Sequence, residues 1–454
     1  MKKRVWMAVG LLLAAAPLPI LLGEGHGLPP AEKWVARYNG PNNGADFAQD
    51  IAVDGSGNVY VTGYSLVSGT NYDYATIKYD TNGKQLWVRR YDGPGHGEDK
   101  ATDIAVDGSG NVYVTGWSLV SANNYDYATI KYNTNGKQLW VRRFNGPSHG
   151  NDYGTDIAVD SSGNVYVTGG SFYSDTGQDF VTIKYNPSGK QLWVQRYGTP
   201  GNKSDWAYYI AVDGSGNVFI SGASSVTSLE IDCVSIKYDI NGKQLWVQRY
   251  GTPGETYNSP VDIAVDGAGN ICILVNSRQA PGSDYDYATI KYNANGEQLW
   301  ANRYNGTGKS LDAPRGLAVD GAGNVYVTGV SYGVNTIQDF ATIKYSSNGK
   351  QLWVARYTRS DSSSDWAEAI AVDRSGNIYV TGASTISGSN SADYDIVTIK
   401  YTAKGKQIWV KKYNGPGHGY DSSNAIAVDG SGNVYVTGES LGSGTSIDYA
   451  TIKY

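Results

Sequence analysis

Three short motifs recur along almost the whole chain at a spacing of about 53 residues. The motif I/L-A-V-D-x-[SA]-G-N occurs eight times, with its aspartates at Asp54, Asp107, Asp160, Asp213, Asp266, Asp320, Asp373 and Asp429. T/S-I-K-Y also occurs eight times, with lysines Lys78, Lys131, Lys184, Lys237, Lys291, Lys344, Lys400 and Lys453. W-[VA]-x-[RK]-[YF] begins at Trp34, Trp87, Trp140, Trp193, Trp246, Trp300, Trp353 and Trp409. A period near fifty, with room for four short strands per unit, predicts a β-propeller.

Each repeat is predicted to contain four antiparallel strands. In the first complete repeat these are Asp50–Asp54, Asn58–Ser65, Asp73–Tyr79 and Lys84–Tyr91. Glycine-containing tight turns join the first to the second strand and the third to the fourth. The other two connections are expected to be longer. We call the side of the disc that carries them, including the connections from each fourth strand to the next repeat, the long-loop face.

The phase of the repeat predicts how the chain closes. The chain begins with a lone fourth strand, Lys33–Tyr38, and its last repeat has three strands and ends at Tyr454. Pairing of these two parts would cover two strand edges that otherwise favour aggregation. The predicted fold is therefore an all-β, eight-bladed propeller closed by pairing of the N-terminal strand with the C-terminal blade.

The N-terminus has the pattern of a secretory signal peptide. Three basic residues, Lys2, Lys3 and Arg4, precede an apolar run interrupted by two prolines. We predict a signal peptide over residues 1–23, a short linker over 24–32 and the propeller over 33–454, with an uncleaved membrane anchor as the alternative. The formal net charge of −5 becomes −8 without the three leader cations. The negative net charge of the exported protein argues against nucleic acid and anionic membranes as partners.

Two cysteines, Cys233 and Cys272, occupy apolar strand positions. Two packed free thiols are favoured over one disulfide, since a propeller of this size does not need a disulfide framework.

Every third strand carries an aspartate, and every fourth strand has a basic residue before its aromatic residue. If Tyr79 faces Lys84 across the turn, each acid faces a base and adds a small stabilising energy. The predicted structural ion pairs are Asp73–Arg90, Asp126–Arg143, Asp179–Arg196, Asp232–Arg249, Asp286–Arg303, Asp339–Arg356, Asp395–Lys412 and Asp448–Arg37.

The stretch D-I-A-V-D-G-S-G-N-V-Y-V-T-G at residues 50–63, followed by D-Y-A-T-I-K-Y-D-T-N-G-K-Q-L-W at 73–87, resembles the SBBP β-propeller repeat of secreted and surface-associated prokaryotic proteins. The resemblance covers residues 33–454 in eight copies and implies a binding or scaffolding role. The family name implies seven blades, so the repeat count departs from it. The first two strands are also similar to NHL repeats. D-T-N-G-K-Q-L-W is similar to the tryptophan-docking motif of quinoprotein dehydrogenases, but the cysteines are far apart, and no cofactor is expected.

Candidate ligand-binding residues lie at loops and at positions where the repeats differ. D-G-S-G-N alternates oxygen donors as a calcium loop does, but a hairpin turn explains it better. His96, His149 and His418 occupy matching G-P-[GS]-H-G loops and could bind a metal or act as bases, although solvated loop histidines are the simpler interpretation. Asp50, Asp103, Asp156 and Asp262 are expected to open the innermost strands at the channel mouth. The aromatic candidates are Trp117, Trp206, Trp366, Tyr173 and Tyr332.

The sequence favours a non-catalytic extracellular binding or scaffold protein, monomeric and exported or attached to the cell surface. Its long-loop face would recognise an extracellular protein or a polysaccharide. The alternative is an enzyme of the lyase or hydrolase class with its site at the channel mouth. That alternative needs a cluster of acids and bases that occurs once in the ring, and no catalytic or metal-binding residues can be assigned from the sequence.

Overall fold

The computed structural model describes residues 32–454, apart from residues 70, 122–123, 202, 228–229, 252–256, 279, 281–282, 309, 335, 361 and 386–392. The predicted signal peptide and nearly all of the predicted linker lie outside the described residues. The described part forms 32 strands in seven sheets, with one short 3-10 helix at Pro41–Asn43. No helix in this part is long and apolar enough to cross a membrane.

The strands fall into four sets according to their place in the repeat. The first strands are β2 (Asp46–Val53), β6 (Asp99–Val106), β10 (Asp152–Val159), β14 (Asp205–Val212), β18 (Tyr257–Val265), β22 (Asp312–Val319), β26 (Asp365–Val372) and β30 (Asp421–Val428). The second strands are β3 (Val59–Ser68), β7 (Val112–Ser121), β11 (Val165–Tyr173), β15 (Val218–Ser225), β19 (Ile271–Arg278), β23 (Val325–Ser331), β27 (Ile378–Thr385) and β31 (Val434–Leu441).

The third strands are β4 (Asn71–Tyr79), β8 (Asn124–Tyr132), β12 (Gly177–Tyr185), β16 (Ile231–Tyr238), β20 (Asp286–Tyr292), β24 (Asp339–Tyr345), β28 (Tyr394–Tyr401) and β32 (Ile447–Lys453). The fourth strands are β5 (Gln85–Tyr91), β9 (Gln138–Phe144), β13 (Gln191–Tyr197), β17 (Gln244–Tyr250), β21 (Gln298–Tyr304), β25 (Gln351–Tyr357), β29 (Gln407–Tyr413) and, at the N-terminus, β1 (Trp34–Tyr38).

Six sheets have four strands in the order first, second, third, fourth, and all their pairings are antiparallel. The seventh sheet has eight strands, β14–β21, and consists of two such antiparallel sets joined by one parallel pair, Ile231 and Tyr257. The prediction of four-stranded antiparallel units is confirmed. Two of the connections predicted to be long are short, since β3 pairs with β4 out to Ser68 and Asn71, and β7 pairs with β8 as far as the matching Ser121.

The N-terminal strand β1 pairs with the C-terminal strand β32 over five residues, from Trp34 opposite Lys453 to Tyr38 opposite Tyr449. β1 therefore takes the fourth place in the sheet β1-β32-β31-β30. The first strands of successive sheets contact one another in chain order, and β2 also contacts β30.

The core consists of side chains that each sheet presents to the next one. In one cluster, Ala52 and Tyr60 of the first sheet pack against Ile104, Val112 and further residues of the second. In another, Tyr435 and Tyr449 of the last sheet pack against the first. Valine, isoleucine and tyrosine suit these doubly covered strands because they fill a pleated surface.

The D-G-S-G-N motif forms a hairpin turn held by its aspartate. One carboxylate oxygen of Asp54 accepts hydrogen bonds from the backbone N–H groups of Ser56 and Asn58, both at 2.9 Å. The other accepts from the Asn58 side-chain amide and the Tyr60 hydroxyl. Gly57 has a φ of +79°, which favours glycine. Because the carboxylate is used within the turn, the motif is structural.

The first strand begins four residues before the predicted start, at a buried aspartate that fastens the preceding loop. The Gly40 N–H donates to Asp46 Oδ2 at 2.6 Å, and Asp46 lies opposite Ser65 on the next strand. The same arrangement recurs at Asp99, Asp152, Asp205, Asp312, Asp365 and Asp421, whereas Asn258 holds the place in the fifth repeat. These aspartates are buried in every case.

The free energy of unfolding is expected to increase as the pH falls from 7.5 to 5. Burial raises the pKa of Asp46 to about 6 and raises the pKa of Asp99, Asp152 and Asp421 above their usual value. A carboxyl group with a raised folded-state pKa stabilises the fold while it is protonated, and this contribution is lost as the pH rises through that pKa. The melting temperature measured by calorimetry should be higher at pH 5 than at pH 7.5. The difference should be smaller in the variant Asp46→Asn, which has the residue that the fifth repeat carries naturally at this place, Asn258. A pH profile unchanged by the substitution would contradict this assignment.

The register between the third and fourth strands differs from the predicted one. A bulge between Lys78 and Tyr79 places Tyr79 opposite Gln85 and Ala75 opposite Arg90, so the prediction that Tyr79 faces Lys84 is wrong. In each predicted pair, the base therefore lies opposite a residue that is two positions along the strand from the acid. Acid and base are diagonal neighbours.

Five of the eight acid–base pairs are still within ion-pair distance, because arginine is long enough to reach the diagonal position. They are Arg37–Asp448 at 2.9 Å, Arg196–Asp179, Arg249–Asp232 at 3.4 Å, Arg303–Asp286 at 3.6 Å and Arg356–Asp339 at 2.6 Å. The other three predicted pairs are wrong. Arg90 donates to the Tyr38 hydroxyl instead of pairing with Asp73, and Arg143 donates to the Tyr91 hydroxyl instead of pairing with Asp126. Asp395 pairs with Arg359 instead of Lys412.

Cys233 and Cys272 are both buried and unbridged. Burial raises the pKa of each thiol to about 12, which keeps both in the unreactive protonated form at neutral pH.

Candidate functional site

The aspartates expected at the channel mouth lie inside the first strands and link neighbouring sheets. The Oδ2 atoms of Asp50, Asp103, Asp156 and Asp262 accept from the backbone N–H groups of Ile104, Ile157, Ile210 and Leu317, at 3.4, 2.9, 2.7 and 2.8 Å. All four carboxylates are buried, just past a bulge in their strand. The expectation that they open the strands at the mouth is therefore wrong, and their observed contacts are structural.

Three of these carboxyl groups are neighbours and influence one another. Burial raises the pKa of Asp103 well above its usual value, the Asp50 carboxylate raises it further, and a hydrogen bond with Asp156 opposes the rise. Desolvation of a carboxylate disfavours its charged form. Burial therefore favours the protonated form of Asp103 and raises its pKa.

The three loop histidines occupy left-handed backbone positions in turns on the long-loop face. His96, His149 and His418 have φ values of +48°, +49° and +49°, and Asn43 has the same conformation in the first loop. His96 Nδ1 lies 2.7 Å from Asp92, and His418 Nδ1 lies 3.2 Å from Asn414. Only His149 borders the cleft described next.

An aromatic cluster lies on the long-loop face of the second, third and fourth sheets. The Tyr153 ring is stacked on Tyr125 at 5.7 Å, contacts Trp117 edge-to-face at 5.6 Å and lies 5.6 Å from Trp206. Two predicted tryptophans, Trp117 and Trp206, are thus brought together by a tyrosine between them. Tyr153 occupies the second place of its first strand, where other repeats carry Phe47, Lys100 or Trp366.

Tyr153 also forms part of a cleft of about 470 Å³, which we call the Tyr153 cleft. It is lined by Asn124, His149, Gly150, Asn151, Tyr153, Phe172 and Gln178. Phe172 is 41% exposed, so part of its ring is accessible from the cleft. The cleft combines aromatic rings with amide and imidazole side chains. A lining of this kind, without a carboxylate or a lysine or arginine side chain, suits a polar, uncharged ligand.

Two amide groups in the cleft have unused hydrogen-bonding capacity. Gln178 Nε2 and Asn124 Oδ1 are buried, and neither has a hydrogen-bond partner among the described residues. A buried donor or acceptor without a partner costs free energy unless a water molecule or a ligand satisfies it. The site therefore offers one donor and one acceptor next to aromatic rings.

Gly170 leaves space beside the Gln178 amide and the Trp206 ring. A Cβ atom at this position would lie 2.8 Å from Gln178 Nε2 and 3.0 Å from the Trp206 ring. The two preceding repeats carry Tyr64 and Trp117 at the same strand position. The glycine thus leaves open the space that aromatic side chains occupy in the two preceding repeats.

The other aromatic candidates lie outside the Tyr153 cleft. Trp366 packs against Tyr394 at 4.8 Å, and Tyr394 contacts Tyr420 at 5.6 Å. Tyr173 is buried beneath the Arg196 guanidinium. Tyr332 accepts a hydrogen bond from Gln338 at 3.0 Å. These residues have structural partners of their own.

Within the described part of the chain, one group of carboxylates has the spacing needed to hold a cation. Oxygen atoms of Asp73, Asp92 and Asp99 all lie within 4.8 Å of one another near His96. Asp99 already accepts from the N–H groups of Gly93 and Leu119. Hydrogen bonding within the loop accounts for the position of Asp99.

The sequence interpretation missed Asn124, Asn151, Tyr153, Phe172 and Gln178. One signal for Tyr153 was present, because the second place of the first strand differs from repeat to repeat. Nothing in the repeat pattern indicates that Gln178 and Phe172, which pair across β11 and β12, face the same cleft as Tyr153.

A sequence profile for SBBP, described as "Beta-propeller repeat", matches residues 33–69, 87–125, 139–171, 192–230, 299–335, 352–388 and 408–444. The seven matches together cover more than half of the chain. The expected resemblance to this repeat is confirmed.

One curated protein, the "Uncharacterized WD repeat-containing protein L264" of Acanthamoeba polyphaga mimivirus, is 24% identical over 457 residues. The match covers 80% of this chain and 31% of the viral protein, so the chain spans about a third of that relative.

Solved structures with similar folds have low sequence identity. A protein of unknown function from Dyadobacter fermentans has a TM-score of 0.44 at 9% identity, over 93% of this chain and 97% of that chain. The β-propeller domain of the trilobed protease from Pyrococcus furiosus has a TM-score of 0.41 at 10% identity, over 83% of this chain and 97% of that chain. Similarity at this level carries no inference about activity.

Proposed function

The chain belongs to the family of SBBP β-propeller repeat proteins, and from this premise we propose that it binds a polysaccharide through the Tyr153 cleft without converting it chemically. Repeated blades supply a rigid support, whereas function depends on the places where one blade differs from the others. The Tyr153 cleft is such a place, since Gly170 and Phe172 distinguish the third repeat.

The observation that carries the proposal is the pair of unused amide groups, Gln178 Nε2 and Asn124 Oδ1, beside aromatic rings. A sugar hydroxyl both donates and accepts hydrogen bonds, so two adjacent hydroxyls can satisfy both groups. The apolar face of a sugar ring suits the faces of Tyr153 and Phe172. Aromatic side chains with a polar neighbour provide large contact area at little cost in conformational entropy.

The architecture that we propose for this support is an eight-bladed propeller closed at β1. The eight-stranded sheet then represents two blades, because the one link between its halves among the described residues is the parallel pair Ile231–Tyr257. Comparable parallel bridges, Gln338–Ser364 and Tyr394–Tyr420, link other neighbouring sheets without merging them. The pairing of β1 with β32 and the contact of β2 with β30 support closure.

We further propose that the protein is exported and acts outside the cytoplasm, in solution or at the cell surface. The signal-peptide pattern of residues 1–23 supports this location. We propose that it acts as a monomer. Its acidic surface favours neither nucleic acid nor an anionic membrane as a partner.

A co-sedimentation assay against insoluble polysaccharides, together with an array of soluble glycans, tests the proposal. We expect retention on at least one uncharged polysaccharide and loss of retention in Gln178→Leu, which removes the unused amide. Retention that is equal for wild type and Gln178→Leu, or no glycan binding at all, would overturn it.

A further inference from the structure

Three strand positions on the long-loop face differ from repeat to repeat. They are the second place of the first strand, the residue paired with it on the second strand, and the residue before the recurring aspartate of the third strand. In the first and second repeats, five of these six positions are aromatic: Phe47, Tyr64, Tyr72, Trp117 and Tyr125. In the fifth and sixth repeats one is, Tyr285, and the others are Ser259, Asn276, Ala313, Val330 and Gln338. The two repeats before the Tyr153 cleft are therefore rich in aromatic side chains at these positions.

The three aromatic residues of the first repeat form one group. The Tyr64 ring lies 5.1 Å from the Phe47 ring and contacts the Tyr72 ring edge-to-face at 5.3 Å. The Phe47 and Tyr72 rings lie 6.0 Å apart. All three side chains are partly exposed, so the group presents aromatic surface to solvent.

An ion pair joins this group to the second sheet. The Lys100 ammonium group lies 5.0 Å from the centre of the Tyr64 ring and 5.2 Å from that of the Tyr72 ring. The same ammonium group is 2.5 Å from one carboxylate oxygen of Glu98, and the Tyr125 hydroxyl donates to the other at 3.3 Å. Because the charges of Lys100 and Glu98 balance each other, this surface does not require a charged ligand.

Tyr125 connects the same surface to the Tyr153 cleft. Its ring is stacked on the Tyr153 ring at 5.7 Å. Its backbone N–H donates to Asn151 Oδ1 at 3.2 Å, and Asn151 lines the cleft. The contacts therefore run without interruption from the first sheet to the cleft. We call this surface the aromatic extension; it consists of Phe47, Tyr64, Tyr72, Glu98, Lys100 and Tyr125.

We propose that one long, uncharged polysaccharide chain lies across the Tyr153 cleft and the aromatic extension, which bind successive sugar units. The inference rests on the polysaccharide binding proposed above and specifies the class of ligand, a linear chain bound along its length. Sugar rings present apolar faces to aromatic side chains and hydroxyl groups to polar atoms such as those of Glu98 and Tyr125. When two sites bind parts of one molecule, the second contact is intramolecular and raises the affinity. The affinity should therefore increase with chain length until the extension is filled.

The dependence of affinity on chain length tests this inference. The uncharged glycan identified by the array is prepared as linear oligosaccharides from the disaccharide to the octasaccharide, and each is titrated by calorimetry. Wild type should bind the octasaccharide roughly tenfold more tightly than the shortest oligosaccharide that binds. Tyr72→Ala should remove most of this gain and leave the affinity for the shortest one unchanged, whereas Tyr72→Phe should keep the gain. Tyr285→Ala is the matched control, since Tyr285 occupies the equivalent position and contacts Tyr257 instead, and it should also keep the gain.

An NMR titration of the wild-type protein gives a measurement that does not depend on a variant. The ring signals of Tyr72 should shift with the octasaccharide but not with the shortest oligosaccharide that binds, whereas the Gln178 amide should shift with both. A Tyr72 ring that does not respond to the octasaccharide would overturn the inference.

The outcomes separate this inference from the proposed function. Equal affinity for short and long oligosaccharides, or a gain that survives Tyr72→Ala, would overturn the extension. The Tyr153 cleft would still be the site if Gln178→Leu abolishes that binding. If wild type binds no uncharged glycan, or if Gln178→Leu has no effect, the proposed function fails and the inference fails with it.

Discussion

Deletion of Lys33–Tyr38 is expected to lower the melting temperature by roughly 5–15 °C and to cause aggregation. The deletion removes five residue pairs with β32 and leaves the edge of that strand open. It also removes the Trp34 indole hydrogen bond to Thr81 and the Tyr38 ring that packs on Tyr449 at 5.3 Å. Loss of one buried large aromatic side chain alone costs about 3–5 kcal/mol. Calorimetry and size-exclusion chromatography measure the two effects.

A point substitution separates the loss of one ion pair from the loss of the whole strand. Arg37→Ala breaks the ion pair with Asp448 and the hydrogen bonds to Ser440 but leaves the strand in place. It should lower stability far less than the deletion. A monomeric deletion variant with an unchanged melting temperature would show that β1 does not hold the first and last sheets together.

Tyr153→Ala is expected to weaken polysaccharide binding by about thirtyfold or more, since truncation of a central aromatic contact commonly costs at least about 2 kcal/mol. The substitution removes the ring that joins Trp117, Tyr125 and Trp206. Tyr153→Phe keeps this ring and should retain most of the affinity. Isothermal titration calorimetry with the glycan found by the array measures both.

Trp366→Ala is the matched control for this prediction. Trp366 occupies the equivalent strand position in the seventh repeat, in a separate aromatic cluster with Tyr394. Its truncation should leave the affinity unchanged. If Trp366→Ala abolishes binding and Tyr153→Ala does not, the ligand binds elsewhere on the long-loop face.

The repeat pattern was sufficient to predict the strands, the turns and the pairing partner of β1. These features depend on motifs such as I-A-V-D-G-S-G-N, in which each residue has a local role: Asp54 accepts the turn hydrogen bonds and Gly57 adopts the positive φ. Local interactions of this kind are readable from one repeat and are reinforced by eight copies.

Features that depend on bulges and on contacts between sheets were not predictable in the same way. The bulge at Lys78 and Tyr79 changes which residues face each other, and nothing in T-I-K-Y marks it. A second bulge, between Ala48 and Asp50, buries Asp50 against the next sheet rather than at the channel mouth. The regular recurrence of aspartate at Asp46 was visible in the sequence and could have extended the predicted first strand.

The candidate site was predicted only in part because it combines three sheets. Trp117 and Trp206 were identified as departures from the repeat, and His149 was identified as one of three histidines in matching loops. All three lie around the cleft. The amide groups were not, since Gln178 is unremarkable in its own repeat. Its importance arises from the missing side chain at Gly170, a relation across neighbouring strands.

The most direct measurement of ligand binding at this cleft is an NMR titration of the side-chain amide signals of Gln178 and Asn124 with a soluble oligosaccharide. We predict saturable shifts in both amides and in the Trp206 indole, with the Trp366 indole unchanged. The proposed site would be contradicted if the ligand shifts the Trp366 indole signal. It would also be contradicted if the ligand binds without shifting any side-chain signal of the Tyr153 cleft.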